Sequence, residues 1–186
     1  MRKLKLQVQM TLDGYVGGPN GEMDWVSFNW DDELKSYVTE LTAGIDTIVL
    51  GRRLAEGFIP YWRAVAEDAA NPEQAAGRIF TDTPKVVFSK TLAESPWPGT
   101  TLAKGPLAEE IQTLKAAEGK DIIAYGGATF VSALIEEGLV DELHLFLNPT
   151  AIGNGLSVFS GRTGLALQKA TPFACGIVVL QYAPRH

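Results

Sequence analysis

The stretch IIAYGGATFVSALIEEG, residues 122–138, decides the fold of this chain of 186 residues. Its first four residues are apolar or aromatic and predict a short buried strand that ends at Tyr125. Gly126 and Gly127 then predict a tight turn. Apolar residues recur at helical spacing beyond that turn until Gly138. A strand that leads through two glycines into a helix is typical of an α/β sheet. The apolar residues of the predicted helix are Phe130, Val131, Leu134 and Ile135.

Strand signals of the same kind recur upstream. Residues 47–50 form a β-branched and apolar run that ends at Gly51. This pattern predicts a parallel strand followed by a helical turn over residues 54–58. Residues 86–88 and 100–103 give two more short strand signals. Strands that alternate with helices favour a mostly parallel sheet.

The two ends of the chain complete the predicted sheet. Apolar and polar residues alternate over residues 3–10, which predicts a strand with one buried face. A helix is predicted over residues 31–44, and residues of about 165–171 and 174–183 predict an antiparallel hairpin. We therefore expect one α/β domain over residues 1–186, with a mostly parallel central sheet, an antiparallel C-terminal edge and flanking helices.

Composition narrows the possible functions. The chain has 16 Lys and Arg against 22 Asp and Glu, a net charge of −6, so a nucleic-acid surface is not expected. One cysteine and two histidines exclude an internal disulfide and any familiar Cys/His metal cluster. No apolar stretch predicts a signal peptide or a membrane span. The sequence predicts a soluble, cytoplasmic protein.

Glycines and small polar residues follow three predicted strands, at the edge where an α/β sheet binds its ligands. Paired glycines let the backbone approach a phosphate, and the next helix offers free N–H groups. Arginine side chains could pair with phosphate oxygens, and a hydroxyl beside an ammonium could hold the 2′-phosphate of NADPH. Tight turns and solvated arginines are the structural alternatives. The candidate phosphate ligands are Gly51, Arg52, Arg53, Ser89, Lys90, Gly126, Gly127, Ala128 and Thr129.

A second candidate group is acidic and aromatic. Asp13 follows the first strand and opens a glycine-rich loop over residues 14–21, for which turns and mobility are predicted. A carboxyl group near aromatic walls could serve as a proton donor. Asp32 is a weaker candidate, because an acidic residue at a helix N-terminus needs no further explanation. Trp25, Phe58 and Tyr61 are the candidate pocket walls, although most aromatic residues belong to the core.

These segments together resemble the dihydrofolate reductase-like fold. They more closely resemble the reductase family typified by the C-terminal domain of the bifunctional riboflavin-biosynthesis deaminase/reductase. The resemblance runs in order from residue 6 to about residue 183. The similar segments are residues 11–15, 21–25, 48–53, 85–92, 125–128, 138–143 and 149–155.

The resemblance implies an NADPH-dependent reductase and, by family analogy, a homodimer. In that family the segments matching residues 51–53 and 126–127 bind the dinucleotide phosphates, and the pair matching residues 89–90 lies near the adenosine 2′-phosphate. The residue matching Asp13 lies at the substrate end, as an acid or a substrate anchor. Members often carry threonine where this chain has Leu54, which removes about one hydrogen bond, roughly 0.5–1.5 kcal/mol.

The implied substrate is 5-amino-6-(5-phosphoribosylamino)uracil, or another small heterocycle or carbonyl compound. Two alternatives stay open. One is a true dihydrofolate reductase, in which Asp31 or Asp32 on the first helix would recognise a pteridine. The other is a module that binds NADPH without chemistry.

Overall fold

Eight strands form one mixed sheet in the computed structural model, which describes residues 1–185. The strands are β1 (Leu4–Met10), β2 (Ile45–Gly51), β3 (Lys85–Phe88), β4 (Thr100–Ala103), β5 (Asp121–Tyr125), β6 (Glu142–Leu147), β7 (Leu165–Pro172) and β8 (Val178–Pro184). The helices are α1 (Asp32–Ala43), α2 (Arg52–Glu67), α3 (Gln74–Asp82), α4 (Leu107–Ala116) and α5 (Ala128–Glu136).

The strands lie in the order β4-β3-β2-β5-β1-β6-β8-β7. Strands β1 to β6 are parallel, whereas β8 pairs antiparallel with both β6 and β7. The predicted fold class is confirmed, including the antiparallel C-terminal edge and the flanking helices. No helix of residues 1–185 is long and apolar enough to cross a membrane.

Helices cover both faces of the sheet. On one face α4 and α5 pack against alternate residues of β1, β5 and β6. On the other face α2 and α3 pack over β2 and β5, while α1 reaches from that cluster to a second one over β6 and β8. The carboxyl ends of the parallel strands therefore meet at one edge, between the two helical layers.

Strand β1 is more deeply buried than its alternating pattern predicts. Its apolar face is buried, but Gln7 on the opposite face is only 8 % exposed. Tyr125 of β5 and His144 of β6 lie on either side of Gln7 in register. The predicted buried apolar face is confirmed, and the opposite face is more buried than predicted because β1 lies inside the sheet, where helices cover both of its sides.

The segment after β2 contains more helix than predicted. In place of a single turn over residues 54–58, α2 extends through Pro60 to Glu67, and α3 follows. Phe58 and Trp62 of α2 are partly buried and pack against Phe80 of α3, with ring centroids 5.7 and 4.3 Å from that ring. These tertiary contacts outweigh the hydrogen bond that proline removes inside a helix.

Candidate functional site

The N-termini of α2 and α5 lie side by side at the carboxyl edge of the sheet. Each helix directly follows its strand, and β2 and β5 are neighbours. Leu54 in the first turn of α2 touches the turn before α5. A Cβ on Gly126 would lie 3.5 Å from Leu54 Cδ2, and one on Gly127 would lie 3.8 Å from Leu54 Cβ.

Neither of these two helix ends is neutralised by the protein. No side chain caps α2 or α5, and neither helix has an acidic residue in its first turn. The first N–H groups of each helix, which have no intrahelical partners, therefore receive no side-chain cap either, and the positive ends of two dipoles face the same region. This arrangement attracts an anion.

The glycines at these turns have conformations or neighbours that exclude larger residues. Gly126 has φ +37° and Gly127 has φ +78°, values that side-chain-bearing residues rarely adopt. A Cβ on Gly51 would lie only 2.9 Å from the Cβ of Phe130. The backbone can therefore approach a ligand closely here, which is the arrangement that a pyrophosphate requires.

Two arginines add positive charge to this edge. Arg52 is partly exposed and its Nη1 lies 2.8 Å from Glu56 Oε1, one turn further along α2. Arg53 is exposed. Because an exposed ion pair is weak, Arg52 can exchange Glu56 for a phosphate at little cost.

Ser89 and Lys90 follow β3 at the same edge. The Ser89 hydroxyl oxygen accepts hydrogen bonds from the N–H groups of Leu92 at 3.1 Å and Thr91 at 3.3 Å, so Ser89 shapes the local turn. The Ser89 hydroxyl also lies 3.5 Å from Thr91 Oγ1, and Ser89 is buried. The Lys90 side chain is exposed.

The structure places Asp13 between two loops. Its carboxylate accepts hydrogen bonds from the N–H of Gly153 at 2.7 Å and of Ile152 at 3.2 Å. A hydrogen bond from the Thr11 hydroxyl, followed by those from Gly153 and Ile152, lowers the pKa of Asp13. The side chain is therefore an ionised acceptor at neutral pH, joining the loop after β1 to the loop after β6.

The glycine-rich loop after Asp13 is docked on that same second loop. Leu156 accepts a hydrogen bond from Val16 N–H at 2.8 Å and donates one to the Gly17 carbonyl at 2.9 Å. Leu12 N–H also donates to the Thr150 carbonyl at 2.8 Å. The mobility predicted from glycine content overlooked these partners, which lie more than a hundred residues away in the sequence.

Asp32 lies at a different place from Asp13. It is the first residue of α1, is exposed, and lies 3.8 Å from Lys35 across one helical turn. It lines a shallow cavity of about 400 Å³ between α1 and β7, away from the loops that Asp13 joins. The structure does not bring these two carboxylates together. The other residues of that cavity are Glu33, Ser36, Tyr37, Glu40, Thr171 and Phe173.

The three predicted pocket walls differ in burial and in their surroundings. Phe58 stacks on Tyr125 with ring centroids 5.4 Å apart and belongs to the core over β2 and β5. Tyr61 is 55 % exposed on the outer side of α2. Trp25 is buried and donates from its indole nitrogen to the Glu22 carbonyl, 3.0 Å away.

Asn148, directly after β6, is a site residue that the sequence reading missed. It is almost fully buried, and its Oδ1 accepts a hydrogen bond from Ser27 N–H at 3.0 Å. Its Nδ2 donates to Gln9 Oε1 at 2.9 Å. Asn148 thereby ties the loop before α1 to β1. The only sequence signal is an asparagine that follows a buried strand.

A buried polar network under α1 was also missed. Tyr37 Oη lies 2.5 Å from His144 Nδ1, and His144 Nε2 lies 2.6 Å from Glu142 Oε1. Burial, followed by the Glu142 charge, raises the pKa of Tyr37 to about 12. Tyr37 therefore stays protonated at neutral pH.

The sheet order, the glycine turns and the paired uncapped helices define an α/β protein of the dihydrofolate reductase-like class. The chain belongs to the RibD C-terminal domain family, whose model matches residues 2–179. The family resemblance drawn from the sequence is confirmed.

Similar proteins agree with this placement. The uncharacterized protein YyaP of Bacillus subtilis is 32% identical over 187 residues, covering 97% of this chain and 94% of YyaP. A crystal structure of a putative riboflavin biosynthesis protein from Shewanella sp. PV-4 has a TM-score of 0.72 at 21% identity, covering 99% of both chains. Dihydrofolate reductase from Enterococcus faecalis, complexed with NADP(H) and RAB-propyl, has a TM-score of 0.64 at 13% identity, covering 99% of this chain and 97% of that one.

Proposed function

We propose that this protein is an NADPH-dependent reductase of a small heterocyclic, carbonyl or imine substrate, related in activity to the reductase step of riboflavin biosynthesis. The observation that carries the proposal is the pair of uncapped, carboxylate-free helix N-termini at one edge of the sheet. Two such ends beside each other suit a ligand with two linked phosphates. Family membership supports the same conclusion.

The residues at this edge fit the phosphates of NADPH. Residues 126–129 and 51–53 would hold the pyrophosphate through backbone N–H groups and guanidinium groups. Ser89 and Lys90 would hold the 2′-phosphate through a hydroxyl and an ammonium. When bound, NADPH supplies the hydride.

The proposed substrate is 5-amino-6-(5-phosphoribosylamino)uracil or a close chemical relative. Trp25, Phe58 and Tyr61 stay our proposed contacts for it, on the loop before α1 and on α2. Asp13 is the proposed carboxylate at the substrate end, and Asp32 is the weaker candidate. The lowered pKa of Asp13 favours a role in orienting the substrate and the loop around Gly153 over a role as proton donor.

We also propose that two copies form a homodimer in the cytoplasm. Strand β7 lies at the edge of the sheet, and Leu167 on it is 55 % exposed. Exposed edge strands and apolar side chains are ordinary features of a self-pairing surface. Sedimentation equilibrium tests this proposal directly.

In the first experiment the purified protein is titrated with NADPH and with NADH, and binding is measured by calorimetry or tryptophan fluorescence. We expect micromolar binding of NADPH and at least tenfold weaker binding of NADH, about 1.4 kcal/mol. The absence of binding by either nucleotide would contradict the proposal.

Turnover and inhibitor binding separate the proposed reductase from its alternatives. NADPH binding without oxidation across a panel of carbonyl, imine and pyrimidine substrates would favour the non-catalytic module. Stoichiometric binding of methotrexate would favour a dihydrofolate reductase. For that alternative Asp31 is the poorer of the two candidate carboxylates, because both of its oxygens already accept backbone hydrogen bonds, from Leu34 and Cys175, whereas Asp32 is exposed.

The substitution Asp13→Asn tests the carboxylate at the substrate end. We expect lower turnover with almost unchanged NADPH affinity, because Asp13 lies on loops outside the proposed phosphate site. The measurement is kcat and KM for the best substrate, alongside a NADPH titration. Unchanged turnover would remove Asp13 from the reaction.

A further inference from the structure

Gln7 occupies an unusual position for a glutamine. It lies on a strand inside the sheet, only 8 % exposed, on the face that α1 and α2 cover. It is in register with Tyr125, the residue directly before Gly126 and Gly127. Gln7 is therefore one strand away from the proposed phosphate-binding turn and at nearly the same height along the sheet.

The side-chain oxygen of Gln7 is buried and has no hydrogen-bond partner among residues 1–185. The neighbouring glutamines differ in this respect. Gln9 Oε1 accepts a hydrogen bond from Asn148 Nδ2 at 2.9 Å, and Gln181 Nε2 donates to Glu142 Oε1 at 3.1 Å.

An unpaired buried amide is costly, and native proteins seldom contain one without a reason. The two residues in register with Gln7 do not supply the missing partner. His144 is already paired on both ring nitrogens, with Tyr37 and Glu142, and the Tyr125 hydroxyl is likewise buried without a partner among residues 1–185. A ligand that enters between α1 and α2 above β1 would supply it. Aromatic clusters on either side of this position, which include Tyr37 and Phe58, suit a planar ligand.

We propose that Gln7 is a specificity-determining residue that pairs with the imide or lactam edge of the substrate ring. This inference rests on the proposed reductase function and names the substrate class of that site. A glutamine amide presents one acceptor and one donor side by side. Its complement is a ring N–H next to a ring carbonyl. A ring that lacks this N–H leaves the Gln7 oxygen unpaired and is rejected.

The first part of the test measures stability without any ligand. Gln7→Met has a similar volume and removes the unpaired amide, so we expect its Tm to equal or exceed that of the wild type. Gln9→Met is the matched control on the same strand face, and we expect its Tm to fall because Asn148 loses a partner. A fall in Tm for Gln7→Met as large as that for Gln9→Met would show that Gln7 is structural and would overturn the inference.

The second part measures binding of a matched pair of probes by calorimetry. The probes are 5,6-diaminouracil, which has the ring N–H groups, and its 1,3-dimethyl derivative, which lacks them. We expect the wild type to bind the first at least tenfold more tightly, a difference of about 1.4 kcal/mol. Gln7→Met should lose this discrimination and keep its NADPH affinity. Equal discrimination by wild type and Gln7→Met, or no discrimination by the wild type, would overturn the inference.

The binding of both probes is measured with and without NADPH, so that the proposed reductase function and the proposed role of Gln7 can be contradicted separately. A protein that discriminates between the probes but binds no NADPH contradicts the proposed reductase and leaves the role of Gln7 supported. A protein that binds NADPH but treats both probes alike contradicts only the role of Gln7.

Discussion

The positive end of the helix dipole is neutralised by acidic side chains at the N-terminus of α1 but not at the N-termini of α2 and α5. In α1 the Asp31 carboxylate accepts the Leu34 N–H at 2.8 Å, and Asp32 and Glu33 add negative charge to the first turn. In α2 and α5 there is neither a side-chain cap nor an acidic residue in the first turn. The first arrangement stabilises the fold, whereas the second leaves donors and positive potential for a ligand.

The largest expected effect comes from making α5 resemble α1. Thr129 is exposed in the first turn of α5, so Thr129→Asp places a carboxylate there without a steric penalty. We expect NADPH affinity to fall about 100-fold, roughly 2.8 kcal/mol, because like charges at a binding site cost several kcal/mol. Tm should stay level or rise, since the carboxylate interacts favourably with the helix dipole.

Calorimetry measures the NADPH affinity of Thr129→Asp, with Thr129→Asn as the uncharged control. Unchanged affinity in Thr129→Asp would remove α5 from the proposed cofactor site.

The second prediction concerns the positive charge of Arg52 at the N-terminus of α2. We expect Arg52→Gln to weaken NADPH binding about tenfold, roughly 1.4 kcal/mol, through the loss of a charge-assisted phosphate contact. Arg63→Gln is the matched control, because Arg63 pairs with Glu67 on the same helix at 2.9 Å, as Arg52 pairs with Glu56 at 2.8 Å. NADPH titrations of the two variants, run in parallel, measure the difference in affinity. Equal losses in both variants would mean that only the overall charge of the protein matters.

The smallest effect concerns the capped helix. Asp31→Ala removes the cap of α1 and the hydrogen bond from Cys175 N–H, so we expect Tm to fall by a few degrees with NADPH affinity unchanged. The Leu34 N–H, followed by the Cys175 N–H, lowers the pKa of Asp31. Its contribution is therefore present at neutral pH and is lost as the pH falls below about 4. The Tm of Asp31→Ala should consequently vary less with pH in the acid range than that of the wild type. A clear loss of NADPH affinity would show that α1 also contacts the cofactor.

Local patterns predicted the strand and helix order well, but they misjudged segments whose structure depends on distant contacts. The glycine turn at residues 126–127 was predicted because it needs only neighbouring residues. The extension of α2 past Pro60 was missed because aromatic packing against α3 stabilises it. The loop over residues 14–21 was expected to be mobile, and local composition could not reveal that Val16 and Gly17 hydrogen-bond to Leu156.

The sequence by itself determined the α/β class, the family, and the glycine-containing strand ends that we propose as the phosphate site. Periodicity, backbone propensity and short motifs are properties of neighbouring residues, so they can be read along the chain. Only the tertiary structure decided that α2 and α5 begin side by side, that Asp13 accepts hydrogen bonds from Ile152 and Gly153, and that Gln7 is buried without a partner. The physical reason is that each of these features depends on which strands become neighbours, and that order arises from packing across the whole sheet.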